Sequence, residues 1–279
     1  MSVLSRGPVR VLGGGQRAVI DTTLASDPYV SCIVASRIDD SGIRGRTGGE
    51  FWGINSGRSG LCFAGANLVP LAGDDRAMRH FASTAGRRTR RAAAVCGRRE
   101  MVLPLWDHLT KAWGDARAIR ADQPFLICPK APAVAPDPLV RPTRAEEIDR
   151  YFPAAVSMFT EEIGVDPRAG DGGRSYRARV ADLVHTGRSF VRFDGDELVF
   201  KAEIGSVSPW AALIQGVWVP PDHRGRGLAT AGVAAVVQAV HRGFDRMPCL
   251  YVNDFNLAAR AAYAKVGFRQ VASYASVLF

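Results

Sequence analysis

The sequence is short of the features that mark membrane, secreted and metal-dependent proteins. No apolar run approaches the ~18 residues that a bilayer-crossing helix needs. The opening residues, Met1 to Pro8, contain no apolar core of the kind a secretory leader carries. Cysteine is scarce and unpatterned: Cys32, Cys62, Cys96, Cys128 and Cys249 form an odd set, with no Cys-x-x-Cys and no Cys/His cluster. That argues against a disulfide framework or a zinc site and fits reduced thiols. His80, His108, His185, His223 and His241 show no metal-ligand or catalytic grouping, so no metal is expected. There is no Gly-x-Ser-x-Gly elbow and no Cys/His nucleophile arrangement, so covalent catalysis is not supported. These absences predict a cytoplasmic chain with no membrane partner.

Lysine is almost missing too, at four of 36 basic residues. The net charge of +9 is uneven, since residues 1–140 hold 19 basic and 12 acidic side chains and residues 141–279 hold 17 and 15. The excess is concentrated in Arg87, Arg88, Arg90, Arg91, Arg98 and Arg99. Such a patch can bind a polyanion. No aromatic residues interleave with it, so it reads as a solvated face, and nucleic acid is not an expected partner. At 279 residues and 47% hydrophobic, the chain can bury a sizeable core in one or two domains.

One stretch stands out against this background: Val217-Trp218-Val219-Pro220-Pro221-Asp222-His223-Arg224-Gly225-Arg226-Gly227-Leu228-Ala229. An apolar run stops at two prolines, a turn with two arginines and two glycines follows, and a small-residue helix begins at once. A helix start leaves its first amides unpaired and carries partial positive charge, so such a loop suits a phosphate or pyrophosphate. Gly225 and Gly227 let the backbone approach an anion, and Arg224 and Arg226 can add charge-assisted contacts. A P-loop would need Lys-Ser/Thr where Leu228-Ala229 stand, and a dinucleotide fingerprint would need a glycine at Thr230. On this segment alone, an ordinary Arg/Gly turn capping a helix stays open.

About thirty residues on, Asn256-Leu257-Ala258-Ala259-Arg260-Ala261-Ala262-Tyr263-Ala264-Lys265-Val266-Gly267-Phe268 supplies a second pattern. It is an asparagine, a short Ala-rich helix with a tyrosine, then Gly-Phe. With both motifs in this order, residues Val140 to Phe279 resemble the GNAT superfamily of acyl-CoA-dependent N-acyltransferases. The first half is similar to the divergent leading module of two-module members. The resemblance implies an α/β fold (α+β, mixed sheet) with acetyl-CoA as co-substrate and a primary amine, on a small molecule or a protein, as acceptor. It implies that Val217, Trp218, Val219, Arg224, Gly225, Arg226, Gly227, Leu228, Ala229 and Asn256 hold the cofactor. A backbone amide near Val217 is the implied oxyanion donor, and the Tyr263 hydroxyl is the implied general acid at the thioester sulfur. A structural alternative for Tyr263 is a core aromatic whose hydroxyl merely finds a partner.

The general base is read from the residues. Many members of the superfamily place a glutamate where Gln215 stands, and an amide takes no proton at neutral pH. Glu203, in the strand run Val199 to Ile204, is the alternative, on the expectation that burial raises its pKa. Pairing of Glu203 with Lys201, or a water chain carrying the proton, are the competing readings. Glu161 and Glu162 are expected to attract a cationic acceptor or to be plain surface charge. Loss of the base would leave a non-catalytic acyl-CoA-binding regulatory module, the second functional reading.

The layout predicts residues 1–128 as a degenerate, non-catalytic GNAT-like module, 129–140 as a Pro-rich linker and 141–279 as the acetyltransferase domain. Thr143 and Glu146 are expected to form a capping box, and Asp194-Gly195-Asp196 a hairpin turn. Asn256 is expected to cap a helix, and Phe268 to Ala272 with Tyr274 to Phe279 to finish the second sheet. In the first half, Leu71-Ala72-Gly73-Asp74-Asp75 stands where the second has its Arg/Gly loop. Two carboxylates there would fill the anion site of that helix.

Overall fold

The computed structural model describes residues 8–41 and 49–279, so Met1 to Gly7 of the stretch read for a leader lie outside the described residues. The chain forms two compact units, one running to Phe125 and including Gln270–Phe279, the other Leu126–Arg269.

The elements run β1 (Val9–Val11), α1 (Arg17–Ser26), α2 (Cys32–Ser41), β2 (Glu50–Ile54), β3 (Gly60–Ala64), β4 (Asn67–Ala72), α3 (Asp75–Gly86), β5 (Ala94–Arg98), α4 (Arg99–Trp113) and β6 (Ala118–Ile127). There follow β7 (Arg141–Pro142), α5 (Ile148–Ile163), α6 (Arg174–His185), β8 (Ser189–Asp194), β9 (Glu197–Val207) and β10 (Ala211–Trp218). The chain ends with α7 (Leu228–Ala239), β11 (Met247–Tyr251), α8 (Leu257–Val266) and β12 (Arg269–Leu278).

In the first unit the strands lie in the order β1-β2-β3-β4-β5-β12-β6. The β2–β3 hairpin turns at Asn55 and Ser56, both at positive φ (50° and 56°). The Asp74 carboxylate accepts from the Ala77 amide at 2.9 Å, which caps α3 with a negative charge, as the aspartate pair implied. Asp75 is engaged by Arg79 and His108. The arginine cluster is largely satisfied inside this unit. Arg88 pairs with Glu50 and lies over Trp52, Arg98 pairs with Asp27, Arg99 with Asp122, and Arg90 lies over Phe279. The elements β1, α1, α2 and β6 are additions to the expected layout.

In the second unit the strand order is β11-β10-β9-β8-β7, with the end of β6 beside β11. Strands β7 to β10 pair antiparallel, while β10 and β11 are parallel, so the sheet is mixed. Alternation along β9 assigns its two faces. Phe200, Ala202 and Ile204 are fully buried in one core with Val233, Val236 and Val237 of α7 and Tyr263 and Val266 of α8. Lys201 and Glu203 face the other way, toward Tyr151 of α5. Gly232 lets α7 sit close to the sheet, because a Cβ there would come within 2.5 Å of the Phe200 ring.

Three expectations need correction. The segment expected as a linker at 129–140 is extended, but it is docked on the second unit rather than spanning free. Ala133 donates to Val266 O (2.9 Å), Asp137 N donates to Ala231 O (3.0 Å), and the buried Asp137 carboxylate pairs with Arg192. The last strand is single, not two, and Tyr274 to Leu278 pair with Arg98 to Ala94 of β5 in the first unit. It therefore does not finish the second sheet, and the expected division at 128 and 141 differs from the compact units at this end as well. The capping box is also shifted by one residue. Thr143 bonds Ser189, while the Glu147 carboxylate accepts from the Arg144 amide at 2.9 Å.

Glu147 also forms a two-pronged pair with Arg141 at 2.6 and 2.8 Å, and that guanidinium holds its pKa down at about 2. The folded pKa lies below the unfolded one, near 4.5. Its stabilisation is therefore complete above pH ~4.5 and is lost as pH falls toward ~2. Glu147→Gln is expected to lower stability by about 1 kcal/mol at pH 7. In denaturant titrations the difference from wild type should shrink steadily below pH ~4.5.

Candidate functional site

The site is built around the place where β10 and β11 part. Their parallel register covers Ala211–Leu213 against Met247–Cys249, and it extends no further among the described residues. From Ile214 onward β10 leaves its neighbour, and it leads through Pro220 into the turn before α7.

Gly225 and Gly227 both adopt left-handed backbone (φ 77° and 81°). A Cβ at either would meet nothing within 4 Å. Glycine is therefore required here by conformation rather than by crowding, and the space over the loop is open. Gly227 is the N-cap of α7 and no side chain caps the helix, so the first-turn amides of Leu228 and Ala229 face outward from an uncapped positive end. The two arginines divide. Arg226 is exposed and donates to Asp222 O at 2.9 Å. Arg224 pairs with Glu161 of α5 at 2.7 Å and donates to Val219 O at 3.0 Å, and the Trp218 indole donates to the same Glu161 carboxylate. The Arg224 guanidinium holds the Glu161 carboxyl below its ordinary pKa. Arg224 and Glu161 thus tie the loop to α5, and Glu161 is already neutralised by a cation.

Just upstream β10 is bulged. Gln215 stands opposite Glu203 and Trp218 opposite Lys201, so Gly216 and Val217 face the single residue Ala202. Gly216 takes φ 57°, and a Cβ there would lie 3.1 Å from Lys201 Nζ and from Met158 Cε. Beneath the bulge, Lys201 (0% exposed) donates to Gly216 O at 2.9 Å and pairs with Glu203 Oε1 at 2.9 Å. Tyr151 donates to the same Glu203 oxygen at 2.9 Å. Burial alone would raise the Glu203 pKa, but Lys201, Tyr151 and the charge of Arg179 outweigh it and hold the carboxyl below its usual range. This corrects the expectation of a base with a raised pKa. The pairing with Lys201 is what the fold builds.

On the opposite face, Asn256 caps α8 through its side-chain oxygen, which accepts from Ala259 N at 3.1 Å. Gly267 ends the helix at φ 108°. Tyr263 is 8% exposed and packs against Phe268, with ring centroids 5.8 Å apart. Its hydroxyl makes no hydrogen bond among the described residues. Burial, with a smaller push from the Glu162 charge, raises its pKa well above the ordinary value. The same Glu162 charge reaches Tyr176, so Glu162 lies near both phenols.

Residues 157–268 match the model of the acetyltransferase (GNAT) family. The second unit carries a GNAT-family domain. Residues 49–151 match a domain of unknown function, DUF4081. No curated protein matches the sequence. Among solved structures, a Drosophila protein is 15% identical over 98% of this chain and 99% of its own, with a TM-score of 0.67. A GNAT-family acetyltransferase from Colwellia psychrerythraea is 12% identical over 97% and 99%, with a TM-score of 0.57. A GCN5-related N-acetyltransferase from Kribbella flavida is 14% identical over 90% and 94%, with a TM-score of 0.55. At such identities the likeness concerns the fold, and it extends over nearly the whole chain.

Within the GNAT domain, the strand residues Val217 to Val219 follow the parting of β10 and β11, and the turn Pro220 to His223 joins them to the loop residues Arg224 to Ala229. Glu203 lies on the sheet face away from Tyr263, so the two residues read as catalytic are not brought to one face. Sequence reasoning missed Lys201, which it weighed only as a partner for Glu203, and Tyr151. A lysine set between apolar residues in a buried strand run was the available signal, because lysine is almost never fully buried unless paired.

Proposed function

We propose that the protein is an acyl-CoA-dependent N-acyltransferase that passes acetyl from acetyl-CoA directly to a primary amine. The observation that carries this reading is the parting of β10 and β11 after Leu213 and Cys249, immediately before an uncapped helix start. The parting leaves strand backbone to pair with an extended pantetheine-like arm. The first-turn amides of α7 and Arg226 suit the pyrophosphate that such an arm carries. Arg224 acts on the loop through Glu161, and Asn256 through the start of α8.

Acyl transfer needs a donor for the carbonyl oxygen and one for the departing sulfur. The Val217 amide, re-aimed by the bulge, serves the first. The Tyr263 hydroxyl serves the second, and burial, which raises its pKa, keeps it protonated at neutral pH. A thiolate, with a pKa near 8.5, is less basic than that phenolate. Tyr263 therefore acts mainly by hydrogen bonding to the sulfur as the bond breaks. Glu203 is engaged by Lys201 and Tyr151 on the sheet face away from Tyr263, so the amine proton leaves by water. Glu162, beside Tyr263, supplies negative charge for a cationic acceptor.

A second reading, a non-catalytic acyl-CoA-binding regulatory module, is favoured by Gln215 and by the Lys201–Glu203 pair, which leave no strong base. Calorimetry with acetyl-CoA, followed by a panel of amines assayed for free thiol, separates the two. Binding with turnover of at least one amine is expected. Tight binding without turnover of any amine means the regulatory reading, and no binding of acetyl-CoA overturns both.

A further inference from the structure

We propose that Lys201 is a positioning residue for the oxyanion donor: its ammonium, bound to Gly216 O, polarises the peptide unit whose other end is the Val217 amide. The inference rests on the acyltransferase reading and assigns a function to a buried cation that the reading itself does not use.

Lys201 is fully buried, and its Nζ lies 2.9 Å from Gly216 O. The chain contains no cis peptide among the described residues, so the Gly216 carbonyl and the Val217 N–H point in opposite directions. The amide is thus aimed away from Lys201, toward the sheet face whose core holds both Phe200 and Tyr263. A cation on the oxygen of an amide withdraws charge from its nitrogen and makes the N–H a stronger donor. Hydrogen bonds arranged in series polarise one another in this way, and the effect is larger where water is excluded. The bulge is what makes the arrangement possible. In an unbroken ladder the Gly216 carbonyl would face a neighbouring strand rather than a side chain on β9. Glycine at 216 leaves the room, since a Cβ there would crowd Lys201 Nζ at 3.1 Å. Glu203 and Tyr151 then have a defined part: they hold the ammonium in place and balance its charge. The alternative is that Lys201 only neutralises Glu203.

The test compares Glu203→Gln with the pair Lys201→Met/Glu203→Gln. The first keeps the Lys201 nitrogen on Gly216 O, although it removes the carboxylate that balances its charge, and the second removes that nitrogen without leaving a buried carboxylate unpaired. The readout is the carbonyl stretch of bound acetyl-CoA carrying 13C at the thioester carbon, by isotope-edited infrared difference spectroscopy. In wild type and Glu203→Gln the band should lie below its position in water. In the double variant it should move back toward that position, with kcat lower by about tenfold than in Glu203→Gln and the acetyl-CoA Kd within about threefold. Identical bands and equal kcat in the two folded variants would overturn the proposal, as would a wild-type band at its position in water. If the methionine double variant does not fold, Lys201→Gln/Glu203→Gln replaces it, and its neutral donor should give an intermediate shift. No shift in that variant is equally fatal. Failure of wild type to bind acetyl-CoA would instead remove the acyltransferase reading, and this inference with it.

Discussion

Tyr263→Phe is expected to lower turnover of a good amine by about 10²–10³-fold, the cost of losing one preorganised hydrogen-bond donor, while leaving acetyl-CoA affinity nearly unchanged. The hydroxyl is asked only to stabilise the departing sulfur, so its loss falls on the chemical step. The substitution keeps the ring that packs against Phe268 in the core of the second unit. It deletes a hydroxyl without a hydrogen-bond partner among the described residues, so no polar group is left unsatisfied and stability should hold. The pH dependence adds a second check. Burial and the Glu162 charge raise the phenol above its ordinary value of 10.0, so wild-type turnover should show no loss from tyrosine ionisation up to that pH. Steady-state kinetics with calorimetry on both proteins decide the matter. Near wild-type turnover in Tyr263→Phe would make Tyr263 a core residue and no more.

Arg226→Glu combined with Gly227→Val is expected to weaken acetyl-CoA binding by at least tenfold. The glutamate sets a negative charge beside the pyrophosphate that the uncapped start of α7 would hold. The Cβ of the valine meets no protein atom within 4 Å, so no neighbour is displaced by it. It acts through the backbone: φ 81° is strained for a β-branched residue at about 1–3 kcal/mol, and relief of that strain pulls the first-turn amides out of line. Gly227→Ala alone, and Arg226→Ala alone, should give smaller losses. Isothermal titration with circular dichroism as a fold control reads the result, and unchanged affinity in a folded double variant would sink the assignment of the loop.

The parts of the fold legible in the sequence are those decided within a few residues. Asp194-Gly195-Asp196 turns a hairpin because Gly195 takes positive φ (57°). Asn256 and Asp74 cap helices because their oxygens reach amides three residues on. The Arg/Gly loop announced itself because its two left-handed residues must be glycine and because a helix starts directly behind it. The tyrosine of α8 was legible through the motif around it rather than through periodicity.

What escaped the sequence are the choices between distant partners. Nothing local tells β12 to pair with β5 in the first unit, since a strand presents the same backbone groups to every neighbour. Whether Thr143 or Arg144 begins a helix depends on Ser189, which claims the threonine from 46 residues away. The role of Arg224 is settled by Glu161, 63 residues earlier, and that of Glu203 by Tyr151, 52 residues earlier. A pKa follows the same rule. Burial of Glu203 was foreseeable from its strand, but its sign of shift depends on which charges the fold brings into the same buried space. The sequence by itself determined the turns, the caps and the anion-ready loop, because each is a contest between neighbouring backbone and side-chain groups. Only the tertiary structure decided where β10 and β11 part, the bulge at Gly216 and the ammonium beneath it, because these arise from the register and packing of segments that meet only when the chain is folded.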